Sequence, residues 1–172
     1  MSKNEDVEIM KMNEEHGTFC PSSRWDITSQ PEIIRHYIDG GRGIVTLANA
    51  ESEVHHTYEF RLPNNPKSFG KEVLFVYTLI KENVWMYVGL YNRDVCQFKL
   101  TRRSNFGQDS KIVKGVEYIL RRACYAHNGN SPMHIYHEGV CAVCGRRLTT
   151  PKSIERGIGP KCYAQIATNN VE

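Results

Sequence analysis

Apolar positions recur along this chain with two different periods, and the changes from one to the other mark out its elements. Ile33, Ile34, Tyr37 and Ile38 fall on one face of a helix. That helix opens after Thr28-Ser29-Gln30-Pro31, which offers a hydroxyl cap and a proline for the first turn, and Gly40-Gly41 stops it. The period then shortens to two. Gly43 to Leu47 is short and β-branched, and Tyr58, Phe60 and Leu62 alternate with Thr57, Glu59 and Arg61 as in a half-buried strand, which Pro63-Asn64-Asn65-Pro66 ends. Val73 to Ile80 and Val84 to Tyr91 are apolar runs joined by Lys81-Glu82-Asn83, the pattern of a hairpin. Asn92-Arg93-Asp94 turns into a last strand, Val95 to Leu100, with Cys96, Phe98 and Leu100 expected on its apolar face.

The longer period returns once, and strongly. Ile112, Val113, Val116, Ile119, Leu120 and Ala123 form a stripe wide enough to lie on a sheet, while Lys111, Lys114, Arg121 and Arg122 fall largely off it. The pattern predicts an α+β fold: an antiparallel sheet of about five strands in a meander, packed by helices. It also predicts three regions. Residues 1–24 read as a mobile acidic arm and 25–126 as the α+β domain. The loop Ala126 to Pro132 then leads into a compact module over 133–168.

Charge changes the picture more than composition does. The 172 residues carry a net charge of only +3, with 40% hydrophobic and 24% charged residues, which is ordinary globular usage. Residues 1–92 hold 9 Lys/Arg against 13 Asp/Glu, whereas residues 93–172 hold 13 against 6. A basic half suggests an anionic partner, of which nucleic acid is the usual one. Ser2 to Asp6 is polar, and no apolar run approaches the roughly 18 residues that a membrane helix needs. A cytoplasmic protein with no membrane partner is expected, in a reducing compartment where clustered cysteines favour metal over disulfide.

The cysteines are where chemistry concentrates. His137, Cys141, Cys144 and Cys162 are spaced H-x3-C-x2-C-x17-C, a donor set of the kind that holds a structural Zn²⁺ tetrahedrally. Gly145 gives the C-x2-C turn its backbone freedom. Gly159-Pro160 places Cys162 in the first turn of a final helix, where the helix dipole favours a thiolate. A knuckle followed by a helix looks like a treble clef. That arrangement takes its last two ligands from the helix, but three positions beyond Cys162 stands Gln165. The fourth ligand must come from elsewhere. His137 is the first choice, with His134, Cys124, His127 and Cys20 as rivals.

An enzyme is not expected. Glu138 beside His137 suggests a carboxylate acting on a metal-bound water, but the H-x-E and P-C-x2-C pattern of zinc deaminases is lacking. His55 and His56 cannot share an ion, because adjacent strand residues face opposite sides. Phosphate-binding loops and nucleophile elbows are missing as well.

From His137 to Cys162 the sequence H-E-G-V-C-A-V-C-G-R-R-L-T-T-P-K-S-I-E-R-G-I-G-P-K-C resembles an uncharacterised family found in bacteriophages and actinobacteria. Its C-terminus carries H-E-G-x-C-x2-C-G-R-x-L-T-x-P-x-S-I-x2-G-I-G-P-x-C. The resemblance implies a zinc-binding module and a phage or mobile-element setting, hence a host-cell cytoplasm, and implies no activity.

Two functions compete on this reading. In the first, a basic surface binds DNA or RNA through Arg102, Arg103, Lys111, Lys114, Arg121 and Arg122 on the domain and Arg146, Arg147, Lys152, Arg156 and Lys161 around the knuckle. Phe106, Tyr118 and Tyr125 interleave with these charges and are candidates for stacking on bases. In the second, the chain docks on a host or phage protein and modulates it.

Overall fold

The computed structural model describes residues 25–52, 54–125 and 131–169, so the expected acidic arm lies outside the described residues. Strands β1 (Trp25–Asp26), β2 (Arg42–Asn49), β3 (His55–Arg61), β4 (Val73–Lys81), β5 (Val84–Asn92), β6 (Gln97–Lys99) and β7 (Met133–His137) form one sheet. Its order is β1-β7-β2-β3-β4-β5-β6, antiparallel at every pairing. The helices are α1 (Pro31–Asp39), α2 (Pro66–Phe69), α3 (Lys111–Tyr125), α4 (Pro151–Arg156) and α5 (Pro160–Asn169).

The α+β architecture stands, but the sheet has seven strands where about five were expected. Strands β2 to β6 are the expected meander. The β4–β5 hairpin closes between Lys81 and Val84, with Asn83 at φ 59, a conformation that asparagine tolerates. The additional strands come from the segments before α1 and after α3. Met133–His137, expected as the start of the C-terminal module, runs instead inside the sheet, paired from Val45↔His137 to Asn49↔Met133. Trp25–Asp26 then lines its other edge.

One face of the sheet carries Val45, Leu47, Tyr58, Phe60, Leu74, Val76 and Ile135, all buried against the apolar stripes of α1 and α3. Each fully buried side chain of this size contributes about 1.5–3 kcal/mol of hydrophobic stabilisation. The close fit of α3 depends on Gly115. A Cβ there would lie 2.2 Å from the Tyr58 hydroxyl, which is fixed by donating to the Ile112 carbonyl at 2.8 Å, and 3.3 Å from Leu47. Alanine is the better helix former by about 1 kcal/mol, yet overpacking costs about 1–3 kcal/mol. Gly115→Ala is therefore expected to destabilise, by up to about 2 kcal/mol in urea unfolding.

Two sequence expectations need correction here. Cys96 does not share a strand face with Phe98 and Leu100; it sits in the turn before β6 at φ 52, within 3.9 Å of the Tyr91 hydroxyl, which also lies 3.8 Å from Cys124. Arg122 is not on a solvent-facing surface. It is buried, and its guanidinium donates to the Thr28 carbonyl, tying α3 to the segment ahead of α1.

Candidate metal centre

Beyond β7 the chain makes a short hairpin. Leu148 N–H donates to the Gly139 carbonyl at 2.7 Å, Cys141 N–H to Arg146 at 2.7 Å, and Gly145 N–H to Cys141 at 2.9 Å. Gly145 closes this turn at φ 74, where a side chain would be strained. Next, α4 is capped by Thr150, whose hydroxyl accepts from Ser153 N–H at 3.4 Å and donates to the Ser153 hydroxyl at 2.9 Å. Pro160 then opens α5 and puts Cys162 in its first turn.

This path brings three sulfurs together. Those of Cys141, Cys144 and Cys162 all lie within 4.8 Å of one another. Four sulfurs at about 2.3 Å around an ion would sit about 3.8 Å apart, so a small closure of the group would suit tetrahedral coordination. Thiolate donors favour zinc and the softer transition ions over magnesium or calcium.

The surroundings differ for each thiol. Burial pushes the Cys141 thiol up, but N–H groups of Gly159 (3.3 Å from the sulfur), Cys144 and Val143 outweigh it, leaving the pKa below the ordinary value. The Cys162 thiol is pushed up to about 12 by burial and by the neighbouring Cys144 and Cys141. Three crowded thiols resist ionising together, and a dication between them removes that conflict.

His137 lies outside this group: among the described residues it comprises the three cysteines alone. Its ring is buried in a stack between Trp25 (centroids 5.3 Å apart) and Tyr37 (5.0 Å). Nδ1 accepts from Gly139 N–H at 3.0 Å, and the ring has a further hydrogen bond to the Ile154 backbone. Burial lowers its pKa to about 4, so it is neutral near pH 7. The imidazole therefore joins the knuckle to α4 and α1. Tyr37 adds to that junction by donating to the Val140 carbonyl at 2.9 Å. Of the rival ligands, His134 faces Asp26 at 3.1 Å at the sheet edge, and Cys124 is beside Tyr91. Cys20 and His127 fall outside the described residues.

Residues 131–167 match the model of a family of unknown function (DUF6011). The matched stretch contains β7, the hairpin, all three cysteines and nearly all of α5. No curated protein and no solved structure matches the chain.

The basic residues do not form one surface. Arg146, Arg147 and Lys161 line a cavity of about 460 Å³ that opens onto the three cysteines. Lys152 is exposed on α4, and Arg156 lies 3.9 Å over the Tyr163 ring. Lys111, Lys114 and Arg121 share a groove on the helix-covered side of the sheet. Arg102 and Arg103 border a third cavity with Phe69, Phe75, Tyr77, Tyr87 and Leu90. Sequence reasoning missed these β4 and β5 aromatics as site candidates. They pair across strands (Tyr77↔Tyr87, Phe75↔Leu90) and point away from α1 and α3, with edge contacts of 5.2–5.9 Å between rings. The alternation that placed them opposite the core was the available signal. Of the expected stacking residues, Phe106 is buried, Tyr118 lines the α3 groove and Tyr125 is exposed.

No helix among the described residues is long and apolar enough to cross a membrane.

Proposed function

We propose that this chain is a non-catalytic, zinc-containing accessory protein of phage or mobile-element type that binds nucleic acid. In this reading the three cysteines and a fourth ligand hold Zn²⁺ in a treble-clef-like finger, and the ion is structural. One observation carries the nucleic-acid reading: Arg102 and Arg103 stand exposed beside half-buried Phe75, Tyr77 and Tyr87, with Phe69 exposed at their margin. Arg61 lies 4.5 Å from the Tyr77 ring centroid, with its charge paired to Glu59. Rings on a sheet face with arginines at the edge suit a single strand, because every base has a face to stack and every link a phosphate.

Fluorescence anisotropy with labelled single-stranded DNA, duplex DNA and RNA tests this. Saturable single-strand binding is expected, weakening steeply as salt rises. Arg102→Glu with Arg103→Glu should weaken it at least tenfold and flatten the salt slope by about 2. No binding even at about 50 mM salt would contradict the reading and direct attention to a protein partner.

A further inference from the structure

His56 is a buried side chain that none of the chemistry above uses. Only 5% of it is exposed, and its Nδ1 has no hydrogen-bond partner among the described residues. An unpaired polar atom in a core is destabilising, so an imidazole in this place calls for an explanation. His56 lies at the floor of the groove between α3 and the ends of β2, β3 and β7, a space of about 570 Å³, within the range of small-ligand sites.

The walls of this groove show what would fill it. Lys111, Lys114 and Arg121 are exposed along one stripe of α3, and no carboxylate occurs among the described lining residues. At 1.5 Å per residue these cations span about 15 Å, Lys111 and Lys114 close together and Arg121 about 10 Å further on. That is two anion positions, the first at the positive end of the α3 dipole. Between them lies Tyr118, half-buried, with apolar Leu47 and Met133 opposite. Lys111 is near enough to bear on the charge of His56.

We infer that this groove seats a nucleotide unit, with phosphates at Lys111/Lys114 and Arg121 and the base against Tyr118 over His56. A free nucleoside 3′,5′-bisphosphate and one unit of a strand present the same chemistry, a base flanked by two phosphates. For the strand, the inference rests on the nucleic-acid reading above and adds a second contact on the opposite side of the sheet. For a free nucleotide, it stands without that reading. The hydrogen bond that His56 lacks is the one a base edge or ribose hydroxyl would supply.

The decisive variant is His56→Phe, which keeps a ring of similar size and deletes the unpaired nitrogen. Binding is measured by calorimetry with adenosine and uridine 3′,5′-bisphosphate, and by anisotropy with labelled 12-nucleotide DNA and RNA strands. Arg121→Gln and the Arg102/Arg103 reversal are run beside it. Saturable binding of a bisphosphate or a strand, weakened at least tenfold in Arg121→Gln and in His56→Phe, supports the inference; binding that Arg121→Gln leaves unchanged overturns it, whatever the stability of His56→Phe. Bisphosphate binding alone assigns a small-molecule site; strand binding alone assigns a strand contact. If strands bind and only the Arg102/Arg103 reversal weakens them, the groove is overturned and the sheet-face reading survives. If neither probe binds the parent protein, both are overturned.

Discussion

On the proposed zinc reading, stripping the metal is expected to cost several kcal/mol of stability and lower the melting temperature by about 10 °C or more. The hairpin Gly139–Leu148, the short α4 and the first turn of α5 contribute little core of their own. Cys141, Ala142, Leu148 and Ile158 are buried, but α5 buries none of its side chains. In that reading, a segment so poor in apolar contacts takes its folding free energy largely from ligation, since metal affinity of thiolates is coupled to folding. The loss should spread beyond the module, because Tyr37 and Trp25 stack on His137 and Arg42 N–H donates to the Ala142 carbonyl at 3.0 Å. Thermal melts with and without a strong chelator measure the effect. Cys141→Ser and Cys162→Ser should reproduce it, whereas Cys96→Ser and Cys124→Ser should retain the metal.

Acid should unfold the protein earlier than its carboxylates alone would require. His56 and His137 are both buried, and burial holds each near a pKa of about 4 against an ordinary 6.5. For His56 the neighbouring His55 and Lys111 push the same way. The unfolded chain takes up these protons first, as pH falls through 6.5, while the folded chain excludes them until about 4. Their contribution is therefore fully present above pH 6.5 and is lost progressively between 6.5 and 4, by up to about 3 kcal/mol for each residue. Urea unfolding at a series of pH values reads this directly. His56→Phe should remove about half of the slope in that window, and an unchanged slope would show that His56 is not held neutral.

Much of this fold was legible because periodicity reports burial. The stripe of Ile33, Ile34, Tyr37 and Ile38 and that of Ile112 to Ala123 both became core faces, and the alternation in β3 located Tyr58 and Phe60 inside. β7 was not legible. Met-His-Ile-Tyr-His has one buried aliphatic, Ile135, and its partners lie some ninety residues earlier, so no local pattern announces it. The cysteine grouping could be read from spacing, since a C-x2-C turn and a helix start have fixed shapes. The place of His137 could not, because stacking on Trp25 and Tyr37 is a tertiary matter. Arg122 misled for a related reason: a charge at the margin of a helical stripe reads as exposed until a distant carbonyl, here that of Thr28, is found to receive it. His56 was correctly separated from His55 by strand alternation, but its significance needed α3 and its cations beside it.

The measurement closest to the central claim is metal analysis with X-ray absorption on the purified protein. The account predicts one zinc per chain with at least three sulfur ligands, and no stoichiometric metal after Cys141→Ser. A protein that folds and melts unchanged with no bound metal, its three thiols freely titrable, would contradict it.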